Sequence, residues 1–206
     1  MSGRFVRIEP LDPERHLGDL YRAYSADEEG RLWTYMSVGP FASEAELGAW
    51  MQSACNQDDP LFHALIDLST GRAAGMAAYM RIQPEAGVIE IGSISFAPAM
   101  QQTPAATEAM FLFMVRAFDE LGYRRYEWKC DSLNAASRNA AERLGFHYDG
   151  LFKQAVVYKG RNRDTAWYSI LDGRWPALKQ ALRQWLDEAN FDEAGHQKRR
   201  LKDLLE

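Results

Sequence analysis

The sequence predicts an α/β (α+β) fold, and three observations carry that prediction. Residues 61 to 97 take on strand texture, with "LFHALIDL", "RAAGMAAYMRI" and "VIEIGSISFAP" separated by the turns "STG" and "QPEAG", the pattern of an antiparallel meander. The stretch "ATEAMFLFMVRAFDEL" is apolar around its whole circumference, as a helix packed on all sides must be. The chain has 206 residues, 47% of them apolar and 26% charged, enough for one globular domain with a substantial core.

Each element has a local reason. "FVRIEPL" alternates like a strand and leads into "DPERHLGDLYRAY", where Asp12 can cap a helix whose first turn accepts Pro13. An aromatic loop, "EEGRLWTYMSVGPF", precedes "SEAELGAWMQSACNQ", in which Ser43 and Glu46 match a capping box. After the meander, the apolar helix stops at Gly122. "YRRYEWKC" then reads as a strand, "NAASRNAAERLGF" as a short helix closed by Gly145, and "YDGLFKQAVVYKG" with "DTAWYSILD" as a final strand pair. The domain is expected to span residues 1–173. Residues 174–206 form an extension in which Trp175, Leu178, Leu182, Trp185 and Leu186 share one helical face, expected to pack on its own domain or on a twin subunit, which would make a homodimer. The tail "GHQKRRLKDLLE" is expected to be a solvated helix.

Composition also excludes function classes. No apolar run approaches the roughly 18 residues of a membrane helix, and "MSGRFVRIEP" lacks the apolar segment of a secretory signal, so a cytoplasmic chain without a membrane partner is expected. The net charge of −5 argues against a nucleic-acid partner and favours a cationic substrate. Cys55 and Cys130 lack metal or redox spacing, so buried free thiols and no metal are expected. Neither a glycine-rich dinucleotide fingerprint nor a Walker lysine follows a strand.

The junction "SFAPAMQQTPAATEAM" links a strand to the apolar helix. Thr103 suits the N-cap and Pro104 the first helical position. The small residues Ala105, Ala106 and Thr107 leave first-turn N–H groups open to an anion such as a pyrophosphate, with Gln101 and Gln102 as further amide donors. The alternative is an ordinary turn with its glutamines in water.

The order of elements, together with the segment Ala106-Thr107-Glu108-Ala109, the loop "LWTYMSVGPF" and the helix "NAASRNAAERLGF", resembles the Gcn5-related N-acetyltransferase (GNAT) superfamily, and within it the RimJ/RimL-like branch. The resemblance covers most of the chain, from "FVRIEPL" to "AWYSILD". It implies a mixed, mostly antiparallel central sheet flanked by helices, with a splay between strands 4 and 5. It also implies acetyl-CoA as co-substrate, bound at its pyrophosphate by the junction, and an acceptor that is a small primary amine or a peptide N-terminus. The family's turn commonly carries glycines; Gln102 and Pro104 stand there instead, and proline removes one N–H donor.

The resemblance assigns the backbone of Ile94, Ser95 and Phe96, together with Asn134, to the pantetheine arm, and the Ser137 hydroxyl to the leaving sulfur. Asn134 is equally a good N-cap, and Ser137 could face solvent. Glu90 lies in a central strand where an unpaired charge is costly. It is either the base that takes a proton from the incoming amine or the ion-pair partner of Arg81 across the hairpin. Trp33, Tyr35 and Phe41 are the substrate-side aromatics, with core packing as their alternative. The expected activity is direct acetyl transfer to an amine in a ternary complex. The alternatives are a non-catalytic acyl-CoA sensor and an interaction protein on the same fold.

Overall fold

The computed structural model describes residues 1–205 and has the expected mixed α/β architecture. By its internal contacts the chain divides into two compact units, one made of Met1–Gln83 and Ile89–Leu112, the other of Pro84–Val88 and the chain from Phe113 onward.

The first unit holds β1 (Val6–Pro10), α1 (Pro13–Tyr24), α2 (Glu44–Cys55), β2 (Leu61–Asp67), β3 (Arg72–Gln83) and β4 (Val88–Phe96), with the strands side by side in the order β1-β2-β3-β4. β1 and β2 pair antiparallel with Ile8 opposite Leu65, and β2 pairs antiparallel with β3 through a bulge at Leu65/Ile66. Asp12 caps α1 by accepting from the backbone N–H of Glu14 and Arg15, and Ser43 caps α2 by accepting from Glu46. Glu46 reaches back to Ala42 N–H at 2.9 Å, one residue before the cap. The helices cover the sheet through Leu20, Trp33, Leu47, Met51, Ala64 and Met76, all buried in one cluster.

α3 (Pro104–Val115) starts in this unit. Its buried Glu108 accepts from the backbone N–H groups of Arg4, Phe5 and Val6 at 2.8, 2.6 and 2.9 Å. Three donors on one carboxylate hold the strand leading into β1 against the helix. Glu108→Gln puts an amide NH₂ where an acceptor is needed. We expect about 2 kcal/mol of destabilisation, read in a protein of this size as a melting temperature lower by about 4–8 °C. An unchanged melting temperature would remove Glu108 as an anchor.

The second unit contains β5 (Arg125–Asp131), α4 (Ala135–Arg143), β6 (His147–Tyr158), β7 (Arg161–Leu171) and α5 (Trp175–Leu186), with strand order β5-β7-β6, antiparallel throughout. The expected regular helix to residue 121 instead widens after Val115 into a π-helical turn, Arg116–Glu120. Asp119 on that turn accepts from the Trp175 indole at 2.8 Å and pairs with Lys179 at 2.7 Å, while Trp175 stacks on Phe118. The extension is therefore docked within this unit through Trp175, Leu178, Ala181, Leu182 and Trp185. Gly145, at φ +89, ends α4 where any Cβ would lie 2.7 Å from Leu178. The tail differs from the expected helix: among its described residues only Lys202–Leu205 is helical. Buried Asn190 donates to the carbonyls of Trp185 and Arg199 and accepts from Arg199 N–H, bonds that hold the preceding stretch as turns. Cys130 is buried as expected, but Cys55 is exposed.

Candidate active site

β4 ends at Phe96 and a tight turn delivers the chain to α3. Met100 N–H bonds to Ala97 O at 2.8 Å, and Thr103 Oγ1 donates to Met100 O and accepts from Ala106 N–H. Thr107 N–H reaches Thr103 O at 3.4 Å. Two of the expected anion donors, Ala106 and Thr107, are thus engaged inside the helix start, and Ala105, Ala106 and Thr107 are all buried. The Gln101 amide donates to Phe96 O at 3.0 Å. What remains unengaged among the described residues is the backbone N–H of Gln102, Thr103 and Ala105.

Gln102 carries the left-handed backbone, φ 60, that a glycine adopts without strain. Holding that conformation costs glutamine about 1 kcal/mol. The open N–H groups stand at the positive end of a 12-residue helix, the end that favours negative charge.

Within β4, Ser93 is also left-handed, φ 48, which breaks the regular pleat one residue before Ile94. Ser95 is buried; its carbonyl and hydroxyl lie 3.2 and 2.8 Å from the Tyr24 hydroxyl. Burial pushes the Tyr24 phenol well above its ordinary pKa, with the Ser95 hydrogen bond opposing in part. Tyr24 is thus a neutral donor to β4. Nothing but its place on the apolar face of α1 could have singled it out from sequence.

Glu90 is buried on the same strand, and Arg81 Nη1 donates to its Oε1 at 2.6 Å. The pair is asymmetric, because the Arg81 side chain is 54% exposed and that of Glu90 only 4%. Arg81 has φ 47 and is held there by Asp59, whose carboxylate accepts from Arg81 and Ile82 N–H at 2.9 Å each.

The aromatic residues form a continuous series of ring contacts. Trp33 meets Tyr24 and Phe41 edge to face with centroids 5.2 and 5.1 Å apart, and Phe41 continues to Trp50 and Phe62. Trp33 is buried in the core cluster, where Gly39 at φ +64 leaves no room for a Cβ against its ring. Tyr35 and Phe41 are half-buried.

In the second unit, Asn134 caps α4 by accepting from Ser137 N–H at 3.0 Å. The Ser137 hydroxyl accepts from the Trp128 indole N–H at 2.9 Å. Burial, opposed by a Ser137 hydrogen bond, raises the neighbouring Cys130 thiol pKa.

The model of the acetyltransferase (GNAT) domain matches residues 6–147. Among solved structures, a GCN5-related N-acetyltransferase from Brucella melitensis is 52% identical at TM-score 0.97, covering 99% of this chain and 92% of that one. A probable acetyltransferase of the GNAT family from Chromobacterium violaceum ATCC 12472 is 42% identical at TM-score 0.80, covering 85% and 87%. An acetyltransferase from Salmonella typhimurium that modifies the N-terminal serine of ribosomal protein L7/L12 shares the fold at 19% identity and TM-score 0.69, covering 82% and 96%. No curated protein matches.

Proposed function

The chain belongs to the GNAT acetyltransferase family, and from that premise we propose that it transfers the acetyl group of acetyl-CoA directly to a primary amine bound beside it. The observation that carries this reading is the turn before α3. Gln102, Thr103 and Ala105 offer backbone N–H groups that no described residue engages, at the helix end that favours negative charge. These groups would take the coenzyme pyrophosphate, with the Gln102 side chain as a further donor. The backbone of Ile94 and Phe96 would align the pantetheine arm, and Ser95 would act from a position fixed by Tyr24.

The acceptor must reach the thioester unprotonated. Glu90 is the base in this reading, acting directly or through water, with Arg81 setting the rotamer of its carboxylate. The thiolate departs readily because a thiol ionises near pH ~8.5, so proton donation by Ser137 is helpful rather than essential. Asn134, its Oδ1 engaged by the cap, has its amide N–H groups for the coenzyme arm. The sequence resemblance to the RimJ/RimL-like branch is in keeping with the shared fold of the Salmonella enzyme.

The test is release of free coenzyme A thiol from acetyl-CoA across amines, amino acids, polyamines and N-terminal peptides. Release with at least one acceptor class supports transfer. Tight coenzyme binding with no release from any acceptor would make the protein a sensor instead. Ser137→Ala should lower turnover by less than about tenfold and lower the melting temperature, because the Trp128 indole N–H loses its acceptor. Complete inactivation with coenzyme binding intact would make Ser137 essential.

A further inference from the structure

β2 begins at Leu61, opposite Tyr79 of β3, so β3 runs on to Gln83 past the start of its neighbour. There the carboxylate of Asp59, in the loop between α2 and β2, takes the place of a strand. Its Oδ1 accepts from Arg81 N–H and its Oδ2 from Ile82 N–H, each at 2.9 Å. In an extended strand consecutive N–H groups point to opposite edges, and one carboxylate cannot reach both. The left-handed Arg81, φ 47, turns them to the same side, as in the backbone nests that hold anions. Such a backbone is unfavourable for a residue with a Cβ, and two charge-assisted bonds offset it. Asp59 and the backbone of Arg81 therefore form one catch.

The catch sets the direction in which the Arg81 side chain leaves the strand. A left-handed residue inside a strand acts as a bulge, and a bulge re-aims its side chain. From there the guanidinium reaches inward, and its Nη1 donates to Oε1 of the buried Glu90 at 2.6 Å. An arginine side chain more than half exposed has many rotamers open to it in water, so its bond to Glu90 depends on a fixed Cα–Cβ direction. Asp59 supplies that direction through the backbone. Asp59, Arg81, Ile82 and Glu90 all belong to the first unit.

We propose that Asp59 is a positioning residue for the transfer: it holds Arg81, and Arg81 orients the Glu90 carboxylate for the proton it takes. The proposal rests on the reading of Glu90 as the base, and its test separates the two. kcat and KM are measured for wild type, Asp59→Asn, Arg81→Gly and the double variant, with active enzyme counted by coenzyme A binding. Asparagine can accept from one N–H but turns an NH₂ toward the other, whereas glycine keeps the left-handed backbone and removes only the guanidinium. Asp59→Asn lowers kcat about tenfold, part of the factor of about 10² or more that a well-placed base supplies. KM for acetyl-CoA changes by less than about twofold. Arg81→Gly has the same effect, and adding Asp59→Asn to it lowers kcat no further, because one residue acts through the other. The bonds of Asp59 lie at the surface, so the folded fraction stays high. A wild-type kcat in Asp59→Asn while Glu90→Gln is slow overturns the proposal and leaves the base in place. So do losses that multiply in the double variant. If Glu90→Gln is not slow, or no amine releases thiol, the base reading fails, and a crystal structure of Asp59→Asn decides the catch by itself. An Arg81–Glu90 separation beyond about 3.5 Å sustains it, and a retained bond overturns it.

Discussion

Glu90→Gln lowers turnover by about 10²-fold or more near neutral pH while coenzyme affinity is retained. The substitution nearly preserves shape and hydrogen bonding but removes the basic site. The deficit shrinks as pH rises, because a growing share of the acceptor is then unprotonated and needs no base. The ion pair with Arg81 at 2.6 Å makes a competing, purely structural outcome concrete. In that case the variant strands a guanidinium beside a neutral amide, the melting temperature falls, and the remaining folded protein works at the wild-type rate. Because Arg81 is more than half exposed, water can solvate the stranded cation, so the stability loss stays small in either case and does not obscure the rate. The measurement is a pH–rate profile of both proteins at saturating acceptor, with folded fraction checked at each pH. A wild-type rate across the range would remove Glu90 from the mechanism.

Coenzyme A at ~100 times its dissociation constant stabilises the protein by ~2.7 kcal/mol, which in a chain of this length raises the melting temperature by about 5–10 °C. Pantetheine, which lacks the pyrophosphate, raises it by less than half as much if the turn before α3 is the phosphate cradle. Gln102→Glu sharpens the test. A carboxylate at that exposed position leaves the unliganded protein at least as stable, since negative charge suits a helix N-terminus. It repels the phosphates, and affinity for coenzyme A falls about tenfold. Equal shifts from coenzyme A and pantetheine, or an undiminished shift in Gln102→Glu, would move the site elsewhere.

Features governed by neighbours a few residues away are legible in the order of residues alone. Asp12, Ser43 and Thr103 cap the helices that follow them, because a cap needs only a short polar side chain and the N–H groups two or three residues on. The meander can be read from its alternation and turns, and with it the meeting of Arg81 and Glu90, nine residues apart across one hairpin. The family resemblance proposes the turn before α3 for the coenzyme, and the N–H groups open there are not those a bare helix start would suggest. The cap consumes Ala106 N–H, and a left-handed Gln102 exposes others, a conformation that glutamine does not advertise. The remaining decisions belong to groups distant in sequence. Glu108 clamps residues more than a hundred positions away, Tyr24 finds Ser95 71 residues on, and β7 inserts between β5 and β6. Propensity, capping and periodicity act over one or two turns of chain and leave a signature in the sequence. The pairing of buried polar groups and the closing of a cavity depend on which surfaces packing brings together, and only the folded chain decides that.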